Sequence, residues 1–562
     1  MYYIVKKSKS IRMINKNPSI VITGASGFIG RYILDNIKEE YSIYAIARRS
    51  RKEANVPYHH NLNWIQCDIT NWKTLSEVRQ YLIDRGGADF VVHLAAFYDF
   101  TYKDNPEYSR TNIGGTKNIL EFTRGINVKR FLFASSVAAC SFPSNGGLIN
   151  EKSRPDADYA YARSKKLGED LVRQYSQYFP CSNIRFAAVF SDWCEFAPLY
   201  KFLSRWLSKK IDSRILAGKG NSAIPYIHIH DLCQLLKIIF RETDNLPAYD
   251  IYNASPDGST SHRDLFEIAT RYYFGKSIKP FYLPKLLAYP AIILRSLLKK
   301  IHLTCEKPFE RFWMIRYIDL KLDIDSSYTR NVLSWAPTPR YHINRRLLFL
   351  LEKMKSHVDE WRVKNEAALK RVAGRINFKI YEEMVQRKEK LLAIINDTII
   401  FKDEENKFQR YRLLKHEDFQ CYISTLYHLL MAAVRSGDRS LMLKYIDDIA
   451  IRRFAEGFEP EELCNTLSVF SEIIIKELTY DKDLRKIRQD VYHYIGLTLQ
   501  LAQDEIEDLY ENLLEKIPGG KIDKSSLLPD CKELQRKIRQ LSAFYQISPD
   551  ESRYNGSINS IK

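Results

Sequence analysis

The sequence predicts an α/β protein: a doubly wound parallel sheet with a small substrate subdomain, followed by an all-α C-terminal domain. Two observations carry this. Between residues 18 and 275, the apolar runs SIVIT, YSIYAIA, NWIQCDI, FVVHLAA, RFLFASS and NIRFAAVF alternate with helix-length amphipathic segments. These runs are rich in β-branched and aromatic residues and apolar almost throughout, the pattern of strands buried on both faces. Strands alternating with helices imply crossover connections and a parallel sheet. From about Leu348 onward the strand signal stops, and charged–apolar patterns at helical spacing run to about Lys516.

The expected organisation follows from these changes of pattern. A basic extension (1–17) precedes the α/β domain with its substrate subdomain (18–345). A connecting helix rich in Lys, Arg and Glu (346–394) leads to a helical domain (395–516), and a polar tail (517–562) begins at the IPGGK segment. A chain of 562 residues exceeds what one core supports, so several domains are expected. Hydrophobic residues make up 45% and charged residues 27%, which excludes wholesale disorder.

Charge is unevenly placed. Residues 1–350 hold 51 Lys and Arg against 32 Asp and Glu, a net of +19, whereas residues 351–562 hold 35 against 36, a net of −1. A basic first portion attracts phosphorylated ligands, acidic substrates or an anionic surface. With no helix-turn-helix, finger or aromatic RNP pattern, no nucleic-acid partner is expected. The nine cysteines are scattered, odd in number and without a C-x-x-C pair, which suits reduced thiols in a cytoplasm and no metal site. The N-terminal apolar run is too short for a signal peptide, and no stretch is long enough for a spanning helix. A cytoplasmic location is therefore expected.

The strand ending at Thr23 runs into Gly24-Ala25-Ser26-Gly27-Phe28-Ile29-Gly30 and then a helix. Glycines at this spacing permit a tight turn, close backbone approach to a pyrophosphate, and close helix–strand packing. The helix N-terminus offers free N–H groups and a positive dipole end to the phosphates. The next strand ends at Ala47-Arg48-Arg49, where an acid would suit the ribose hydroxyls of NAD. Arginine instead suits a ribose 2′-phosphate, by charge and by its fork of donors. Arg48 therefore points to NADP, with NAD as the alternative.

Tyr161 and Lys165 lie four apart and share one helix face. A phenol near pKa 10 is a poor catalyst at neutral pH, and a neighbouring ammonium favours the phenolate. The order of motifs then extends over residues 18–340: TGASGFIG (23–30), Cys67-Asp68-Ile69-Thr70, His93-Leu94-Ala95-Ala96, Asn112 with Gly114-Gly115-Thr116, Phe133-Ala134-Ser135-Ser136, Tyr161-Ala-Arg-Ser-Lys165, Ile227–Asp231 and Leu333–Pro337. This ordered set resembles the extended short-chain dehydrogenase/reductase family, also called the NAD-dependent epimerase/dehydratase family, with its Rossmann sheet. The resemblance implies that Asp68 and Ile69 meet the adenine and that Leu94, Ala95 and Ala96 flank the cofactor. It implies that Ser136 hydrogen-bonds the substrate oxygen, that Tyr161 gives or takes the proton, and that Lys165 also holds the nicotinamide ribose.

Two departures bear on the branch. Ile224 stands where sugar-nucleotide members carry an arginine for the diphosphate, and Arg185–Phe190 lacks their asparagine. The latter segment looks more like that of hydroxysteroid dehydrogenase and dihydroflavonol reductase relatives, although Ser191-Asp192 replaces the family's usual Gly-Pro. The expected function is NAD(P)-dependent hydride transfer to or from a carbonyl or hydroxyl of a small, fairly apolar substrate. One alternative is a nucleotide-sugar epimerase or dehydratase with tightly held NAD. The other is a cofactor-sensing regulator that signals through the helical domain. A homodimer is expected from the family.

Segment 276–301 mixes leucines with lysines and has no acid, so it reads either as a helix packed on the substrate subdomain or as peripheral membrane contact. Around Tyr445–Leu463 the helical domain resembles the N-terminal helical sensor domain of stressosome-type regulators. The alternative is a dimerisation module, and a protein partner is expected in either case.

Overall fold

The computed structural model describes residues 17–100, 103–143, 146–300, 310–372, 375–402 and 406–515. The expected basic extension, except for Asn17, and the tail from 517 fall outside the described residues.

Six of the apolar runs form strands: β1 (Ser19–Thr23), β2 (Ser42–Ala47), β3 (Leu62–Gln66), β4 (Phe90–His93), β5 (Arg130–Ser136) and β6 (Cys181–Phe186). With the Tyr249–Ala254 strand they make one seven-stranded parallel sheet, ordered Tyr249–Ala254, β6, β5, β4, β1, β2, β3. Their burial explains their composition. One face packs Ile20, Ile22, Ile43 and Val92 against α1 (Phe28–Ile37) and the Ile229–Arg241 helix. The opposite face packs Val21, Val91 and Phe131 against α2 (Trp72–Ile83), α3 (Gly115–Arg124) and α4 (Ala160–Tyr175). Strand order reverses between β1 and β4, and ligands of open α/β sheets sit beyond the carboxyl ends of strands at such a point.

The substrate subdomain is built from short strand pairs and the Ala197–Trp206 and His262–Phe274 helices. Its core of Phe190, Leu203, Trp206 and Phe266 is shared with Leu347, Leu350, Leu351 and Trp361. Those last four residues lie on the Ile343–Ser356 and Val358–Val372 helices. The Ile376–Gln386 helix instead buries Ile380, Tyr381 and Met384 in the core of the helical domain.

The expected single connecting helix over 346–394 is therefore corrected. Its apolar positions serve two different cores, which one straight helix cannot face, and the change of allegiance falls just before Arg375. The helical domain buries Leu426, Leu430, Leu467, Phe470 and Ile506 on its long helices His416–Ser436, Pro460–Thr479 and Leu497–Glu515.

Ser191-Asp192 gains a structural explanation here. Asp192 takes a paired hydrogen bond from Arg346 at 2.5 and 2.7 Å and sits 3.2 Å from His228. Ser191 donates to Glu195 at 2.8 Å, and the Glu195 amide donates to Asn365 at 2.9 Å. The loop thus docks the helices that follow the α/β domain. No described helix is long and apolar enough to cross a membrane.

Candidate functional site

The glycine loop is compressed against the end of β4. Gly24 has φ +71°, and a Cβ there would lie 2.8 Å from the Ala95 nitrogen. A Cβ on Gly30 would lie 2.5 Å from the Gly24 carbonyl oxygen. Gly27 caps α1 with no side-chain hydrogen bond, so the first-turn N–H groups keep their donors for an anion. Ala25 is fully buried, while Ser26, Phe28 and Ile29 are half-buried, the latter two against the sheet core. Gly24→Ala is expected to destabilise the fold by about 1–3 kcal/mol through its left-handed backbone, and to weaken dinucleotide binding. Thermal unfolding and a cofactor titration check this together.

The remaining predicted cofactor residues converge on the same carboxyl edge of the sheet. Arg48 follows β2, and its carbonyl accepts from the Gln66 side chain at 3.0 Å. Asp68 and Ile69 follow β3, with Ile69 buried under Gly115. Leu94, Ala95 and Ala96 follow β4. His93 is buried between Thr23 (2.6 Å) and Thr116 (2.9 Å), and burial holds it neutral, down to about 3. It ties β1 and β4 to α3. A π-helical segment, Tyr108–Gly114, turns Asn112 inward to hold both the Phe97 amide (2.6 Å) and the Phe97 carbonyl (3.0 Å), and to reach Ser164 on α4 (2.9 Å).

Ser136, Tyr161 and Lys165 come together as the sequence predicts. Ser136 ends β5, Tyr161 lies in the first turn of α4, and Lys165 lies one turn on. The Tyr161 hydroxyl lies near Ser136, whose side chain lowers its pKa. The Lys165 ammonium donates to the Ala134 carbonyl at 2.6 Å and lies 5.7 Å from the Tyr161 ring centroid. Burial pushes the Tyr161 phenol up to about 12, opposed by Ser136. Burial brings Lys165 down to about 8, with Glu169 on the same helix raising it. In the ligand-free protein burial sets the Tyr161 phenol above its ordinary value, and it is protonated at neutral pH. Around Tyr161 stands an aromatic wall, with Tyr98 at 4.7 Å and Tyr159 at 6.4 Å between centroids, and Phe100 stacked edge-on against Trp313 at 5.3 Å.

The structure adds a group that no local sequence pattern marks. The helical domain lies on the adenosine end of this edge. Arg435 is buried and donates to Asp68 at 3.0 Å, to both Glu107 oxygens and to Thr111. Together burial, which raises the Asp68 carboxyl, and the adjacent Arg435 and Arg48, which lower it, leave it at about 2. Asp438 accepts from the Ser50 amide at 2.7 Å and from Gln66 at 3.4 Å. Phe378 packs against Phe97 at 5.5 Å and against Arg48 at 5.3 Å. Among the described residues no cluster of three or more His, Cys, Asp or Glu could hold a metal ion.

The model of the NAD dependent epimerase/dehydratase family matches residues 20–255. An uncharacterised Methanocaldococcus jannaschii protein is 26% identical over 287 residues, 47% of this chain and 84% of that one. The dTDP-D-glucose 4,6-dehydratase of Dictyostelium discoideum is 25% identical over 44% of this chain and 60% of its own length. The 3 beta-hydroxysteroid dehydrogenase/Delta 5-->4-isomerase of vaccinia virus is 30% identical over 163 residues, 27% of this chain and 44% of that one. Among solved structures, a Thermotoga maritima UDP-glucose 4-epimerase is 17% identical, with 60% of this chain and 99% of that one covered at a TM-score of 0.46. The resemblance of the C-terminal region to stressosome-type sensors finds no support in these comparisons. Residues 20–255 thus form a domain that matches the NAD dependent epimerase/dehydratase family.

Proposed function

We propose that this chain is an NADP-preferring oxidoreductase that reduces a carbonyl, or oxidises the matching hydroxyl, on a small, fairly apolar substrate. The aromatic wall of Tyr98, Tyr159 and the Phe100–Trp313 pair around Tyr161 carries the substrate class. Such a wall suits apolar substrates, which pockets bury with few polar contacts. The half-buried Ile224 cannot supply a cation for a nucleotide diphosphate. A nicotinamide dinucleotide would be held by the glycine loop, Arg48, Asp68, Ile69 and the Leu94–Ala96 segment, and it would supply or accept the hydride. Ser136 donates to the substrate oxygen. Tyr161, protonated at rest, gives its proton to that oxygen during reduction. The Lys165 ammonium is the cationic neighbour that stabilises the resulting phenolate.

The test is a panel of apolar ketones and of nucleotide sugars, offered to the purified chain with NADPH. Consumption of NADPH with ketones, abolished in Tyr161→Phe, is the expected result. A second reading, a nucleotide-sugar epimerase or dehydratase with tightly held NAD, draws on the name of the Dictyostelium relative. It predicts turnover of nucleotide sugars with no net change in cofactor redox state.

The Lys285–Lys300 helix supports a further part of this reading. Leu286 is 89% exposed, Leu287, Tyr289 and Leu294 are also exposed, and no acid occurs in residues 272–304. We propose that this helix rests on an anionic lipid surface, which would give the aromatic wall access to membrane-dissolved substrates. Cosedimentation with vesicles rich in phosphatidylserine, weakened in a Leu286→Ser, Leu287→Ser variant, is expected. Equal recovery in the supernatant with and without vesicles would contradict it.

A further inference from the structure

The tip of the helical domain reaches three strand ends at once. Asp438 accepts from the Ser50 amide after β2 and from the Gln66 side chain at the end of β3. Arg435 donates to Asp68 after β3, and Phe378 packs on Phe97 after β4. Strand order runs β4, β1, β2, β3, so these contacts fall on both sides of β1 and its glycine loop. The crevice that takes ligands in an open α/β sheet lies outside these strand ends. The tip is one unit. The Asn377 side chain donates to the carbonyls of Val434 and Arg435, at 3.1 Å each, which ties Phe378 to the end of the His416–Ser436 helix.

Asp68 is engaged within the protein on both oxygens. One accepts from the Thr70 amide and hydroxyl, both at 2.9 Å, and the other accepts from Arg435 at 3.0 Å. Arg435 also reaches Glu107 and Thr111, so it bridges the end of β3 to the segment that leads into α3. Its guanidinium lies 4.9 Å from the Tyr381 ring centroid, and both Arg435 and Glu107 are buried. A clamp that closes over a nucleotide would leave an acceptor facing the crevice. Here a nucleotide base seeking the Asp68 carboxylate meets oxygens already paired inside the protein.

We propose that the helical domain is an inhibitory latch on the cofactor site: docked, its Arg435 holds the Asp68 carboxylate, and the adenosine end is received when the joint releases. This rests on the dinucleotide reading above and adds regulation to it. Binding and docking are then linked reciprocally: the nucleotide opens the joint, and whatever holds the joint shut weakens the nucleotide. The charges suit a switch. When Arg435 leaves for water, Glu107 keeps Arg110 and Asp68 keeps the neighbouring Arg48, so neither carboxylate is stranded.

Calorimetric titration of the full chain with adenosine 5′-diphosphate tests the latch without turnover. Arg435→Ala is expected to bind it about 5- to 150-fold more tightly than the intact chain. Asp438→Ala loosens the same joint at Ser50 and Gln66 without touching Asp68, and should tighten binding by a smaller factor. Binding by the variants but not by the intact chain also supports the latch. Hydrogen exchange of the unmodified chain decides the matter even if a variant fails to fold. Saturating adenosine 5′-diphosphate should speed exchange at the backbone amides of 376–386 and 432–440. Slower exchange there would make the helical domain a clamp and overturn the latch. Equal or weaker binding by Arg435→Ala, with the intact chain binding, also overturns it and leaves the dinucleotide reading standing. If neither the intact chain nor either variant binds, the dinucleotide reading fails and the latch with it.

Discussion

Tyr161→Phe is expected to lower kcat about 100- to 10,000-fold, the usual contribution of a positioned acid–base group, with cofactor affinity unchanged. The substitution removes one oxygen from a ring that stays held by Tyr98 and Tyr159, so the site keeps its shape. The proton chemistry has a definite sign. With the Tyr161 phenol at about 12 and the Lys165 ammonium at about 8 in the ligand-free protein, both are protonated near neutrality. Reduction needs the proton on Tyr161 and the charge on Lys165, so kcat/KM for reduction is expected to fall as pH rises through about 8. Lys165→Met should lower the rate and remove that limb from the profile. A limb that persists unchanged in the variant would show that another group titrates there.

The second large effect concerns the joint between the domains. Arg435→Ala removes the buried cation that joins Asp68 to Glu107 and leaves Glu107 to Arg110 and Asp68 to the neighbouring Arg48, so the cost is expected at or below the about 3–5 kcal/mol of a buried ion pair that loses one partner outright. The loss should fall on interdomain docking, so urea unfolding followed by tryptophan fluorescence and by circular dichroism is expected to split into two transitions. Arg435→Lys should rescue little, because one ammonium cannot serve Asp68, both Glu107 oxygens and Thr111 at once. Acid should act in the same direction. Asp68 is held at about 2, below the ordinary aspartate value of about 3.9. Its contribution is therefore full above about pH 4 and is lost as the pH falls towards 2. A single, unshifted unfolding transition in Arg435→Ala would show that the contact contributes little to docking.

The α/β domain was legible because its information is local. Strands buried on both faces write continuous apolar runs, the glycine loop writes its own backbone requirement, and Tyr161 and Lys165 sit one helical turn apart. Ser136 needed only the recognition that a strand end follows Phe133. The joint was not legible for the opposite reason. Arg435 is 367 residues from Asp68 and 328 from Glu107, and its neighbours read as an ordinary helix end before Gly437. Likewise, Phe378 looks like one more apolar residue at helical spacing, and nothing near it in sequence says that it meets Arg48. Residues 346–394 misled because a charged stretch with apolar positions at helical spacing is the same whether it faces one core or two. The raised Tyr161 pKa was not legible because sequence spacing does not show how deeply the phenol is buried.

The most direct measurement is calorimetric titration of the nucleotide-free full-length chain with NADPH and with NADH, with bound nucleotide first assayed after denaturation. Stoichiometric binding of both, tighter for NADPH and reduced to NADH-like affinity in Arg48→Ala, is the predicted result. Binding of neither dinucleotide to a folded, nucleotide-free chain would contradict the account at its centre.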